Sequence, residues 1–418
     1  MTQLVGRILR QPETIKTAIP ALNESYIFCY HSTTREVVEA IKRGLERDGM
    51  ADIADEIRDA GDGRGEGAPQ PRTLHRRDTF RNLRIYLPVV NWVDGNTVRP
   101  LDYDQDILFR LDWSSLRISD VTDKLVAVQQ MQKDQTVKVG LADDPDTRGF
   151  LEIKDSEETP VRGTFDAVYA VRSVSDLLPN PWLARSIIGD LLEQLTKRGL
   201  SAYEIGGKSC QIIETLRLHL RDERDRLAEE LFMDSVEAGS IQFHLRTDRN
   251  DWEMPSEMTT LKTPNSHQLY RDDGKIVETS IFSPVYRDDF SSDYERSVAC
   301  YLDGYKALRW WHRNVARHQY AIQGWRKQKV YPDFIFAMTA ADEEERFYVL
   351  ETKGDQLAGN LDTQYKQKLL ELCNGAFKLG KISPKGELEL VDKDGTTVSC
   401  AMIFEETWKT DIAQVLPK

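Results

Sequence analysis

Two short apolar runs on either side of an acidic turn place the strongest constraint on how this chain folds. Residues 330–338 (VYPDFIFAM) and 346–354 (RFYVLETKG) are rich in aromatic and β-branched residues, and the segment between them is acidic. This pattern predicts a β-hairpin. Because alternate side chains of a strand share a face, Glu351 and Lys353 should point the same way. Antiparallel pairing would bring Asp333 next to them.

Three charged residues inside a buried hairpin indicate a catalytic or metal-binding site. Two carboxylates at hydrogen-bonding distance stay ionised together only when a cation lies between them. Mg²⁺ suits them, since it takes oxygen ligands, keeps water ligands and binds phosphate; Mn²⁺ is the alternative ion. We predict that Asp333 and Glu351 bind the metal for phosphodiester hydrolysis, and that Lys353 orients the attacking water or stabilises the transition state. The structural alternative is that Asp333 caps a turn while Glu351 and Lys353 form an edge-strand ion pair.

The letters PD at the start of the hairpin and ETK at its end resemble the PD-(D/E)xK nuclease superfamily. The resemblance implies the order helix, strand, strand, helix, which the helical patterns at 291–304 and 361–377 fit. It also implies that Glu295, on the first helix, is an additional catalytic acid that helps the metal indirectly. Thr352 joins the two carboxylates among the expected metal-binding residues. For Glu295 the alternative is an exposed helical glutamate.

A basic segment leads directly into the hairpin, although the chain carries a net charge of −13. Residues 304–332 contain no acidic residue, and aromatic residues alternate with the basic ones. Such a segment can neutralise phosphates and hold a nucleic-acid backbone. The alternative is a helix end and a surface hairpin with buried tryptophans; both can hold, with Trp310 or Trp311 in the core. The predicted DNA-binding residues are Lys306, Arg309, Arg313, Arg317, Arg326, Lys327 and Lys329.

The first residues carry a second motif. QLVGRILRQP (3–12) resembles motif VI of superfamily 2 helicases, with Gln3, Arg7 and Arg10 at matching positions. The resemblance implies that the two arginines reach the ATP γ-phosphate across a cleft between RecA-like lobes. A basic helix start is the alternative. The Walker A and DExx motifs expected before motif VI are not present, so we expect ATP to act only through a missing or separate motor. We therefore expect a fragment, a truncated product or one half of a split enzyme.

Taken in this order, the two motifs resemble the carboxy-terminal part of the Res subunit of type III restriction enzymes. This resemblance implies a Mg²⁺-dependent endodeoxyribonuclease in a restriction–modification system. It also implies DNA, a methyltransferase-specificity (Mod) subunit and a helicase motor portion as partners. Two alternatives stay open. One is a DNA- or partner-binding assembly module whose nuclease is silent until it joins a motor or modification subunit. The other is a helicase-associated repair nuclease.

The expected fold class is α/β in three parts. Residues 1–60 would be the end of a second RecA-like lobe, 61–268 a mixed α+β spacer, and 269–418 a restriction-endonuclease-like domain with a mixed central sheet. Within the spacer, 83–93 and 164–174 are predicted strands because of their β-branched and aromatic content, and a helical pattern follows them.

Composition and cysteine spacing predict the compartment. The 418 residues contain five scattered cysteines without a CxxC pair, which argues against a disulfide framework. The sequence contains no apolar stretch of membrane-spanning length, and its start is too polar for a secretory signal. We therefore expect a cytoplasmic protein that does not contact a membrane.

Overall fold

The structure is a computed structural model, and it describes residues 70–131, 138–140, 151–153, 164–243, 251–262, 266–316, 318–339, 345–357, 359–378 and 398–416. The predicted RecA-like remnant at 1–60, with Gln3, Arg7 and Arg10, lies outside the described residues. Arg317 lies outside them as well. The described residues form a mixed α/β protein with several sheets, which confirms the fold class at that level.

The chain divides into two compact units. Among the described residues, those up to Leu101 and from Ser240 onward form one unit, and those within Asp102–Gly239 form the other. These limits differ from the predicted ones, because one three-stranded sheet takes strands from both sides of position 268. The identities that we assigned to the three predicted parts stay predictions.

The described helices lie in both units. They are α1 (Ile118–Met131), α2 (Ala167–Ser173), α3 (Pro181–Lys197), α4 (Ala202–Gly207), α5 (Ser209–Glu237), α6 (Asp293–Asp303), α7 (Leu361–Lys378) and α8 (Trp408–Val415). Single-turn helices cover Asp78–Phe80, Tyr103–Ile107, Leu108–Arg110, Trp113–Ser115, Arg287–Asp289 and Asp355–Leu357. Among the described residues, no helix is long and apolar enough to cross a membrane.

The strands form several small sheets and one larger one. They are β1 (Gln70–Arg76), β2 (Tyr86–Leu87), β3 (Asn91–Asp94), β4 (Thr97–Pro100), β5 (Lys138–Gly140), β6 (Leu151–Ile153), β7 (Ile241–Gln242), β8 (Trp252–Glu253), β9 (Glu257–Lys262), β10 (Phe282–Ser283), β11 (Leu308–Arg313), β12 (Phe334–Thr339), β13 (Glu345–Lys353) and β14 (Val398–Phe404). In the small sheets, β1 lies between β9 and β10, β3 lies between β4 and β7, and β2 and β5 pair with β8 and β6.

The larger sheet has the order β11-β12-β13-β14. Its first three strands are antiparallel, and β14 is parallel to β13, so the sheet is mixed. β12 and β13 form the hairpin that the two apolar runs predict, and that prediction is confirmed. Most of its turn, residues 340–344, lies outside the described residues.

The core between α6 and this sheet holds the two together. Val298 and Leu302 of α6 share one buried cluster with Trp311 of β11 and Phe334 of β12. Trp310 is not part of that cluster but is buried as well, and each of the two tryptophans is 1% exposed. Burying a large apolar side chain contributes about 1.5–3 kcal/mol. The prediction that Trp310 or Trp311 lies in the core is confirmed for both.

The second unit corrects one strand prediction. Residues 164–174 were predicted as a strand, but they contain α2. The Asp166 carboxylate accepts hydrogen bonds from the backbone N–H groups of Val168 and Tyr169 and so begins a helix. This local cap outweighs the weak β preference of the residues that follow. The strand predicted at 83–93 is confirmed in part, as β2 and β3, and the helical pattern that follows is confirmed by α3 to α5.

Candidate active site

The charged residues of the hairpin meet at one end of the larger sheet. Phe334, which begins β12, pairs with Arg313 at the end of β11 and with Leu350 of β13. Asp333 directly precedes Phe334, and Glu351 directly follows Leu350. The register therefore places the end of β11, the start of β12 and the end of β13 side by side. This is the convergence that strand alternation predicts.

Asp333 is held across the hairpin and carries a perturbed pKa. Its Oδ2 accepts hydrogen bonds from the backbone N–H and the hydroxyl of Thr352, each 2.7 Å long. Burial, followed by the charges of Glu351 and Glu295, raises the pKa of Asp333 to about 7. Nearby cations oppose the shift only in part. The carboxyl thus gains a proton near neutral pH unless another cation compensates its charge.

The main chain at Asp333 is fixed by Asn314, which closes the preceding loop. The Asn314 backbone N–H donates to the Asp333 carbonyl at 2.8 Å. Its side-chain Nδ2 donates to the carbonyls of Tyr320 and Pro332, each at 2.8 Å, and its Oδ1 accepts from the Tyr320 N–H at 3.1 Å. Asn314 is 1% exposed, so these bonds are shielded from water. These bonds therefore hold the main chain at Asp333 in place at the end of the sheet.

The two carboxylate oxygens of Glu351 differ in their hydrogen-bond partners. Its Oε1 receives the ammonium groups of Lys353 at 2.9 Å and Lys366 at 3.2 Å. Its Oε2 is buried and has no hydrogen-bond donor within reach among the described residues. Burial disfavours the charge, but the two lysines outweigh it and hold the pKa of Glu351 below its usual range. Glu351 therefore stays ionised, with one oxygen unpaired in a buried position.

These two carboxylates fit a divalent cation. An unpaired buried carboxylate oxygen is costly unless a partner arrives, and a second carboxyl with a raised pKa lies beside it. No group of three or more His, Cys, Asp or Glu side chains that could hold a metal occurs among the described residues. Mg²⁺ does not need one, because it commonly binds one or two carboxylates and completes its shell with water and substrate phosphate.

Glu295 lies at the same end of the sheet but is bound to an arginine. Its Oε2 accepts from Arg313 Nη2 at 2.8 Å and from Arg313 Nε at 3.2 Å. The backbone N–H of Ser291 adds a longer bond of 3.3 Å, and Ser292 caps the helix through the Glu295 N–H. Glu295 is 8% exposed, so it is not the exposed helical glutamate of the alternative. Arg313, predicted to contact DNA, here holds Glu295 in place.

Lys366 is a site residue that the sequence analysis missed. It lies on α7, in the helix predicted at 361–377, and contacts both Glu351 and Asp362. The i,i+4 spacing of Asp362 and Lys366 was visible in the sequence. That spacing does not tell which face of the helix meets the hairpin, so no sequence signal assigned Lys366 to the site.

The predicted basic segment separates into two groups, and the first is remote. Lys306 and Arg309 are exposed around the start of β11. There Leu308 pairs with Met338, whereas Arg313 at the other end of the strand lies beside the site. Strands rise by about 3.3 Å per residue, so the first group lies on the order of 15 Å from the site along the sheet.

The second group lies on the loop between β11 and β12. Lys327 and Lys329 are exposed in a turn whose ends are joined by Ile322 and Val330. Ile322 and Val330 exchange backbone hydrogen bonds of 2.8 and 2.9 Å. This pairing makes residues 322–330 a small closed hairpin, which we call the basic hairpin.

The basic hairpin is docked on α7 next to Lys366. Trp325 packs edge-on against Tyr365 with ring centroids 4.9 Å apart, and the Arg326 guanidinium lies 4.7 Å from the same ring. Gly324 permits this approach, since a Cβ at that position would lie 2.5 Å from the Tyr365 hydroxyl and 2.8 Å from a methyl of Leu369. Lys327 and Lys329 therefore lie on a loop that packs against α7, the helix that carries Lys366.

Comparison of the chain with protein-family models, with curated proteins and with solved structures finds no match. The resemblance to type III restriction subunits therefore rests on the sequence motifs, and what it implies stays a prediction.

Proposed function

We propose that this chain is a Mg²⁺-dependent DNA endonuclease, the cleavage module of a type III restriction-like helicase–nuclease with a PD-(D/E)xK fold. The observation that carries the proposal is that the Asp333 and Glu351 carboxyl groups lie close together at one end of the sheet. One carboxyl has a pKa of about 7 and the other has an unpaired buried oxygen. Both properties are unfavourable in a purely structural ion pair and are relieved by a divalent cation.

Each residue of the site has a separate task in this proposal. Asp333 and Glu351 hold the metal, and Thr352 orients Asp333 and offers its backbone carbonyl as a further ligand. When bound, Mg²⁺ supplies polarisation of the scissile phosphate and activation of a water molecule. Lys353 donates to the attacking water or to a phosphate oxygen, and its bond to Glu351 keeps its ammonium at that point.

The Glu295–Arg313 pair acts on the site indirectly, through its charges, and does not bind the metal. Arg313 has its pKa raised, because the charges of Glu295 and Asp333 outweigh its burial. Its positive charge in turn limits the repulsion between Glu295 and Asp333. In this proposal Glu295 is a positioning residue and not a direct metal ligand.

DNA as the substrate is supported by the basic hairpin and by the motif resemblance. Lys327 and Lys329 would bind phosphates of the strand that enters the site, since exposed cations on a rigid loop are suited to backbone contacts. ATP use through a separate motor portion, the Mod subunit as partner and a cytoplasmic location come from the resemblance and composition alone.

The test measures whether Asp333 and Glu351 bind a divalent metal. Titration of the full chain with Mn²⁺ in a calorimeter should give one site that Asp333→Asn and Glu351→Gln each weaken by at least about tenfold, as expected for loss of a charged ligand. Asp411→Asn, an acidic residue of α8 in the same unit, is the matched control and should bind Mn²⁺ like the parent. An identical affinity in all four proteins would contradict the proposed site.

A further inference from the structure

Two lysine ammonium groups contact the same oxygen of Glu351 and leave its other oxygen unpaired. Lys353 and Lys366 both contact Oε1, and the Glu351 side chain is 2% exposed. A carboxylate that needed only charge compensation would be satisfied by one lysine. The second lysine therefore calls for a reason other than neutralising Glu351.

Lys366 has a second anionic partner within reach. Asp362, one helical turn earlier on α7, has its Oδ2 3.6 Å from Lys366 Nζ, beyond hydrogen-bonding distance but within ion-pairing range. The side chains of Lys366 and Asp362 are 16% and 14% exposed, so both charges lie in a poorly hydrated setting. Because Asp362 Oδ2 is only slightly farther from Lys366 Nζ than Glu351 Oε1 is, a rotation of the lysine side chain can exchange the two partners.

A divalent ion and Lys366 make opposing demands on Glu351. Burial lowers the pKa of Lys366, but the charges of Glu351 and Asp362 outweigh it and raise the pKa, so Lys366 stays a cation. An ion bound between Asp333 and Glu351 would lie next to this ammonium. Like charges at such distances repel strongly where water is scarce.

We propose that Lys366 is a resident counter-cation of Glu351 that competes with the divalent metal and moves to Asp362 when the metal binds. The inference rests on the proposed function, because it assumes that Glu351 is a metal ligand. Lys366 is then a positioning residue that sets the metal affinity of the site. In the metal-free protein it keeps Glu351 ionised and in place.

The experiment measures Mn²⁺ affinity of the full chain without DNA, by calorimetry or by the loss of the free-ion electron paramagnetic resonance signal. Lys366→Met removes the competing charge and should tighten Mn²⁺ binding by about tenfold. Asp362→Asn removes the alternative partner and should weaken it by about threefold. Lys366→Arg keeps the charge and should bind like the parent. Lys368→Met, an exposed lysine on the same helix, is the matched control for loss of a charge.

The expected changes in Mn²⁺ affinity have opposite signs in Lys366→Met and Asp362→Asn, and this distinguishes the proposed role of Lys366 from a purely structural one. If Lys366 only supported the fold, Lys366→Met and Asp362→Asn would both weaken binding. Unchanged or weaker Mn²⁺ binding in Lys366→Met would overturn the proposal, provided that its unfolding temperature matches the parent's; Lys366→Gln serves if the methionine variant unfolds. A parent site that Asp333→Asn abolishes, together with an unaffected Lys366→Met, refutes this inference and leaves the proposed function standing. A parent with no Asp333-dependent site refutes both.

Discussion

The Asp333 carboxylate and Thr352 are joined by two hydrogen bonds of 2.7 Å, one from the Thr352 backbone N–H and one from its hydroxyl. These bonds cross the hairpin from the residue before β12 to the penultimate residue of β13. They fix a carboxyl that would otherwise rotate freely at the end of the sheet. The position of Asp333 thus depends on the residue between Glu351 and Lys353, the variable letter of the ExK triplet.

Removing the Thr352 hydroxyl tests this dependence. Thr352→Val keeps the shape and the backbone N–H but loses one donor to Asp333. We expect a stability loss of about 1 kcal/mol and roughly tenfold slower Mg²⁺-dependent cleavage, as for a lost hydrogen bond to a charged group. Thr352→Ser keeps a hydroxyl and should retain most of the activity. Equal cleavage rates for the valine variant and the parent would show that the hydroxyl does not position Asp333.

The raised pKa of Asp333 predicts how stability depends on pH. In the unfolded chain an aspartate titrates near 3.9, whereas in the folded protein the pKa of Asp333 is about 7. The folded state therefore holds the proton to higher pH. The stability that Asp333 contributes is fully present below about pH 4 and is lost as the pH rises through about 7.

Asp333→Asn should remove this pH dependence. Without divalent metal we expect the variant to be more stable than the parent at pH 8 by on the order of 4 kcal/mol, with the difference vanishing near pH 4. Urea unfolding at several pH values in the presence of a chelator measures it. Asp78→Asn, at an exposed aspartate, should show no comparable trend. A constant difference between Asp333→Asn and the parent across this pH range would contradict the assigned pKa.

The β12–β13 hairpin is the part of the fold that the sequence predicted best, because both of its signals are local. Apolar runs around an acidic turn identify β12 and β13, and the two-residue period of a strand places Glu351 and Lys353 on one face. The strand predicted at 164–174 was wrong for an equally local reason. Its aromatic and β-branched residues favour a strand, whereas the Asp166 carboxylate caps a helix at the same place.

The remaining site contacts could not be predicted, because they depend on how separate elements pack. The sequence of β11 does not tell that Arg313 faces Glu295 of α6. Nor does the sequence of α7 tell that Lys366 faces the end of β13. The basic segment looked continuous in the sequence, yet β11 carries Arg309 and Arg313 to opposite ends of the sheet.

This separation of the basic residues gives a matched pair of variants for DNA binding. Lys327→Ala with Lys329→Ala and Lys306→Ala with Arg309→Ala each remove two positive charges. We expect the first pair to weaken DNA binding and to reduce the slope of log affinity against log salt by about 2. Lys306→Ala with Arg309→Ala should change the DNA affinity and the salt slope much less. Fluorescence anisotropy with duplex DNA over a salt series distinguishes them; equal effects would mean that the basic hairpin has no special role.

Asp303, at the end of α6 opposite Glu295, should be sensitive to substitution for structural reasons. Its buried carboxylate accepts from the backbone N–H groups of Glu278 and Thr279, the Thr279 hydroxyl and the Trp311 indole N–H. Asp303→Ala would leave these donors unpaired, with a cost of about 3 kcal/mol or more. Trp311→Phe removes only the indole donor and should cost less. Denaturant unfolding measures both, and a loss below that of Trp311→Phe would contradict this role.

Cleavage of supercoiled plasmid with Mg²⁺ tests the central claim most directly. The parent is predicted to nick the plasmid, and Lys353→Met is predicted to bind Mn²⁺ yet lose cleavage by at least about a hundredfold, because Lys353 acts on the water or the phosphate. Lys368→Met, which removes the same charge from an exposed position, is predicted to cut like the parent. Nicking by Lys353→Met at the parental rate, or no Mg²⁺-dependent nicking by the parent, would contradict the account.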